Sequence, residues 1–92
     1  MQEDEARQVI DGLRTRGVIA RLTHAGPFRV GIRVPLGDGR EALWDVDGAA
    51  GLEAQVMRNG VLVGFIPAIP GSEDYDEQQT IQAIAEADYG RG

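Results

Sequence analysis

The chain has 92 residues, a formal net charge of −6, nine basic residues that are all arginine, and no cysteine. A chain of this length forms one domain, residues 1–92, that buries about 60–65% of its unfolded surface, and without cysteine neither a disulfide framework nor a thiolate metal site adds stability. The acidity argues against general affinity for nucleic acid, whose non-specific binding comes from phosphate neutralisation.

The first residues, Met1-Gln2-Glu3-Asp4-Glu5, are acidic and polar. They lack the basic start and apolar stretch of a secretory signal, and no apolar run approaches the ~20 residues of a membrane helix. A cytoplasmic protein without a membrane partner is the expectation. Residues 3–16 read as a helix, with Ala6, Val9, Ile10 and Leu13 on one stripe at i, i+3, i+4 and i+7. Acids in the first turn and Arg14 and Arg16 in the last suit the helix dipole, and Gly17 is a natural stop. Gly12, inside the pattern, points to close packing against the sheet.

Five strand-like segments follow, near 18–24, 28–34, 40–46, 52–58 and 61–66. The clearest is Phe28-Arg29-Val30-Gly31-Ile32-Arg33-Val34, which alternates with the period of two of a half-buried strand. Short connections imply an antiparallel meander, and Asn59-Gly60 is a strong two-residue hairpin signal. Side-chain faces set the registers, since a slip of one residue inverts a strand. They place His24 opposite Phe28, Leu22 opposite Val30, Ala20 opposite Ile32 and Val18 opposite Val34. Ile32 meets Trp44, Val30 and Leu52 meet Val46, Val56 meets Val63, and Ala54 meets Phe65. The inner face then collects Val30, Ile32, Val34, Trp44, Val46, Leu52, Val56, Val63 and Phe65.

The other face divides. One half carries Arg21, Arg29 and Arg33; the other carries Leu43, Met57, Leu62 and Ile66. That apolar half calls for a cover, either a helix or a partner chain. Pro67 to Gly71 cannot continue a central strand. Ser72 then opens a helix over about 74–88, with Ile81, Ile84 and Ala85 inward and acids at its positive end. Residues 61–92 carry six acids and, as base, Arg91 alone.

Chemical motifs are sparse. His24, the sole histidine, lacks the companions that a zinc site or a catalytic triad needs, so it reads as a turn-flanking residue. Asp45, Asp47 and Glu53 form the best carboxylate cluster, with Asp45 opposite Glu53 across a turn. Such a like-charge pair needs compensation, by a cation or, preferably, by Arg29 opposite Asp47 and Arg33 beside Asp45. The string Asp45-Val46-Asp47-Gly48 fails the calcium-loop template, because Leu43 and Ala54 stand where acids are required. Gly37-Asp38-Gly39 has no following helix and is a turn rather than a phosphate loop. The arginines could hold an anion, with Trp44 as the wall of a pocket, although a core anchor is the simpler role for Trp44.

The expected fold is α+β: an N-terminal helix, a five-stranded antiparallel meander as a bent sheet or small barrel, and a C-terminal helix. That order is similar to small bent sheets such as the Sm-like and SH3-like barrels with an added helix. The resemblance would imply nucleic-acid binding, but no motif of those families matches and the acidity opposes it. The leading expectation is a non-catalytic interaction or regulatory module without a cofactor, self-associating, as a homodimer, through Leu43, Met57, Leu62 and Ile66. The alternative is a small-molecule or anion site at Arg21, Arg29, Arg33 and Trp44.

Overall fold

The computed structural model describes residues 3–26, 29–46, 51–87 and 89. Its elements are α1 (Glu3–Thr15), β1 (Arg21–Gly26), β2 (Arg29–Pro35), β3 (Arg40–Asp45), β4 (Glu53–Arg58), β5 (Val61–Ile66), a short 3-10 turn (Ser72–Asp74) and α2 (Glu77–Glu86). This is the expected α+β order. The five strands form one antiparallel sheet in sequential order, β1-β2-β3-β4-β5. The sheet is open, with β1 and β5 as its two edges.

α1 buries Ala6, Val9, Ile10 and Leu13 over β1 and β2, and packs beside α2. It ends at Gly17, which takes a positive φ of 84° while the Val18 amide donates to Leu13 O at 2.9 Å. That is the usual stop of a helix whose next residue must reverse. The Arg14 guanidinium then donates to Ala20 O at 3.1 Å, tying the helix end to the approach of β1. Gly12 does sit at a close approach, but against α2 rather than the sheet: a methyl group there would overlap Ile81 Cδ1.

Two registers follow the sequence reading. Ile32 pairs with Trp44 and Asp45 pairs with Glu53. The other two differ. In the first hairpin Leu22 pairs with Ile32 and His24 with Val30, two residues away from the expected alignment. A two-residue shift preserves faces, so the apolar pattern cannot distinguish the two. A further irregularity lies between His24 and Gly26, beyond which Gly26 pairs with Arg29. Phe28, the expected partner of His24, lies outside the described residues.

The last hairpin carries the larger correction. Asn59 and Gly60 both take positive φ, 53° and 79°, and hold Arg58 opposite Val61 and Met57 opposite Leu62. The register then slips, so that Val56 meets Gly64, Gln55 meets Phe65 and Ala54 meets Ile66. Val63 is the extra residue of a bulge, which reverses the alternation beyond it. Phe65 therefore leaves the inner face and Ile66 joins it. Val63 and Phe65 are exposed, while Ile66 packs against the core.

The core lies between the inner sheet face and the two helices. It contains Val9, Leu13, Ile32, Trp44, Ile81 and Ile84. Trp44 has no exposed surface; its indole N–H donates to Tyr89 Oη at 3.0 Å, and that hydroxyl donates to Ile84 O at 3.2 Å. The rings meet edge to face, centroids 6.2 Å apart. Arg40, buried at the start of β3, donates to Tyr89 O at 2.9 Å. Its Nε also donates to Asp38 Oδ2 at 2.7 Å. The Arg40 backbone amide, then its guanidinium, hold the Asp38 carboxyl below its ordinary range.

α2 starts later than the sequence suggests. Asp76 is its cap: the carboxylate accepts from the Gln79 amide at 2.8 Å, and the Gln79 side chain accepts from the Asp76 amide at 3.0 Å. That reciprocal box satisfies amides that a first turn leaves open. Ser72 serves elsewhere. Its buried hydroxyl accepts from the Leu52 amide at 2.7 Å and donates to Ile69 O, joining the segment after β5 to the start of β4.

Gly51 lies under this joint with φ 107°, where a methyl group would overlap the Ser72 hydroxyl and come within 3.1 Å of the Glu73 amide. Gly51→Ala combines backbone strain with this overlap and should lower unfolding free energy by about 2–3 kcal/mol in denaturant titration. Gly37→Ala, in open space, should stay within about 0.5 kcal/mol.

Tyr89→Phe leaves the buried indole N–H without its acceptor and should cost about 1–3 kcal/mol. Burial raises the Tyr89 hydroxyl above its ordinary value, with the Trp44 hydrogen bond acting weakly the other way. A group raised on folding contributes stability below its unfolded value, about 10 for tyrosine, and loses it as pH rises through the folded value. Melting between about pH 9 and pH 11 should therefore fall further in the parent than in Tyr89→Phe.

Candidate functional site

The outer sheet face, opposite the helices, carries the remaining chemistry in cross-strand rows. One row runs Thr23, Gly31, Asp45, Glu53. The next runs Arg21, Arg33, Leu43, Gln55, Phe65. The third runs Pro35, Glu41, Met57, Leu62. Polar and charged groups thus sit over β1 to β4, and the apolar groups gather towards β5.

A groove of about 560 Å³ crosses this face. Thr23 and His24 stand at one end, Asp45, Glu53 and Gln55 along it, and Leu62 and Phe65 at the other end. Gly31, buried between Thr23 and Asp45, adds no side chain to the row.

The expected apolar patch is present in altered form. Leu43 and Met57 are half-buried, and Leu62 is 53% exposed. Ile66 is not part of it, because the bulge turns it to the inner face opposite Ala54. Phe65 takes its place and is 68% exposed. Val61 and Val63, at 62% and 51%, extend the exposed apolar surface along β5. Gly64, inside the strand and next to Val63, is the sequence signal of an available bulge, and strict alternation, which puts Phe65 on the inner face, passes over it.

The arginine set is less of a site. Arg21 and Arg33 face each other across β1 and β2. Arg33 Nε lies 2.6 Å from Glu41 Oε2, a carboxylate two residues along β3 from the neighbour of Arg33, rather than beside Asp45. An ion pair so placed meets the guanidinium before an external anion can. The Arg29 side chain lies outside the described residues, as does Asp47, its expected partner. Trp44 is among the residues that line the groove, but it exposes no surface and its indole N–H is satisfied by Tyr89, so the core role dominates. Among the described residues no group of histidine and carboxylate side chains is arranged to hold a metal ion.

No helix among the described residues is long and apolar enough to cross a membrane. Compared with known proteins, the chain matches no family model, no curated protein and no solved structure.

Proposed function

We propose that this chain is a non-catalytic interaction module that self-associates through the β5 side of its outer sheet face. The observation that carries the reading is the exposed apolar surface of β5: Leu62 and Phe65 on the outer face, with Val61 on the other side opposite Arg58 and the bulged Val63 between them, each more than half accessible. Single exposed apolar residues are ordinary, but a contiguous set on one strand marks an interaction surface. Leu43 and Met57 continue it inward along the sheet. The charge of the chain, −6, opposes binding to nucleic acid, and Phe65 stands in an uncharged stretch rather than among arginines.

Purified protein is expected to run as a dimer in light scattering at micromolar to millimolar concentration. Phe65→Asp or Leu62→Asp places a carboxylate in the contact. Either should raise the dissociation constant at least about 30-fold, about 2 kcal/mol. Both side chains point away from the core, so far-UV circular dichroism should stay unchanged. A parent that stays monomeric throughout refutes self-association.

A second reading, favoured by the groove of about 560 Å³, is a small-molecule site. Its polar lining is carboxylate, amide, hydroxyl and the His24 imidazole, which suits a neutral or cationic ligand with an apolar end. A ligand at 100 times its Kd would add about 2.7 kcal/mol of stability. A thermal-shift screen of amines and neutral metabolites that moves nothing counts against it.

A further inference from the structure

We infer that two copies join edge to edge through antiparallel pairing of β5 with β5, making one continuous ten-stranded sheet about a two-fold axis between Val63 and Gly64. This rests on the self-association reading and specifies its geometry. Among the described residues β5 is hydrogen-bonded to a neighbour on one side only, through β4. Its other side is an edge, and proteins ordinarily guard such edges with charges, prolines or irregularities. β1, the opposite edge, has such guards: Arg21, His24 and the irregularity before Gly26. β5 has neither charge nor proline, for its sequence is Val61-Leu62-Val63-Gly64-Phe65-Ile66, and its one irregularity is the bulge at Val63.

Charge selects the occupant. Residues 59–72 contain no ionisable side chain, in a chain of net charge −6. Two like-charged copies repel wherever their acids meet, and this stretch is where a surface can face itself without that cost. Symmetry points the same way. A β5-to-β1 contact is head-to-tail and would extend into a filament, whereas β5 against itself closes at two copies.

The bulge supplies the register. Because Val63 is the extra residue, Leu62 and Phe65 lie on the same outer face, three positions apart. Two-fold antiparallel pairing centred between Val63 and Gly64 sets Leu62 of each copy opposite Phe65 of the other. An aliphatic and an aromatic side chain then cover each other twice, the favoured kind of cross-strand pair. An ordinary strand would put those two positions on opposite faces.

The test uses the native absence of cysteine. Leu62→Cys and Phe65→Cys are made separately, checked for parent circular dichroism, and oxidised alone and mixed. Opposed cross-strand Cβ atoms come within disulfide reach, so the mixture should cross-link at least about tenfold faster than either variant alone. Independently, amide exchange across Val61–Ile66 in the parent protein should slow at least about tenfold as concentration rises through dimer formation. A parent that remains monomeric overturns this pairing together with the self-association beneath it. A dimer whose β5 amides exchange at the monomer rate, or in which Leu62→Cys alone cross-links fastest, overturns the edge pairing and leaves self-association standing.

Discussion

The tight turn at Asn59-Gly60 and the joint between Ser72 and Leu52 place conflicting demands on β5. The turn fixes Arg58 opposite Val61. Beyond the strand, the Ile69 amide donates to Leu52 O at 3.0 Å and the Ser72 hydroxyl binds the Leu52 amide, so the returning chain is tied to the start of β4. Strict alternation from the turn would carry Phe65 inward opposite Ala54. One extra residue, Val63, lets Ile66 take that place instead. The bulge therefore decides what fills the core beside Trp44 and what is left outside.

Its effect on packing follows from size. The inner row across the sheet is Leu22, Ile32, Trp44, Ala54, Ile66. Ala54 is the small member that accommodates the indole, and Ile66 beyond it is smaller than a phenylalanine would be. In the adjoining row Gly64 lies opposite Val56, and a methyl group added to it would sit 3.9 Å from Val56 Cβ, an ordinary contact. Gly64 is thus not required there by space. What the bulge costs in hydrogen bonding it offsets by seating an aliphatic chain, not a second large ring, two strands from Trp44.

The parts legible in the sequence are those governed by local pattern. The α1 stripe, the Asn59-Gly60 turn and the β2–β3 and β3–β4 registers all follow from face and period. The first hairpin was legible in its faces but not its alignment, since a shift of two residues leaves every face unchanged. The parts that escaped depend on distant partners. Arg40, at the start of β3, is buried where residue 89 supplies a carbonyl 49 positions away. Ser72 reads as a helix cap until Leu52, 20 positions away, claims its hydroxyl. Tyr89 closes over Trp44 from 45 positions away, and nothing local to either residue announces it.

The same distinction separates the two halves of the outer face. Where opposite charges lie within reach, as with Arg33 and Glu41, the surface is satisfied by its own chain and has little left for an anion. Over β5 no described residue performs that service: the helices lie on the other face, and the neighbouring strand is already paired. An edge strand with apolar side chains on both of its faces is costly to leave in water. Ordinary surface mutation could supply a lysine or a proline to blunt it, as β1 is blunted, and residues 59–72 contain no charge and place their prolines after the strand. A strand without charge or proline along its whole length, at the edge opposite one that carries Arg21 and His24, is the physical signature of a surface that meets another strand.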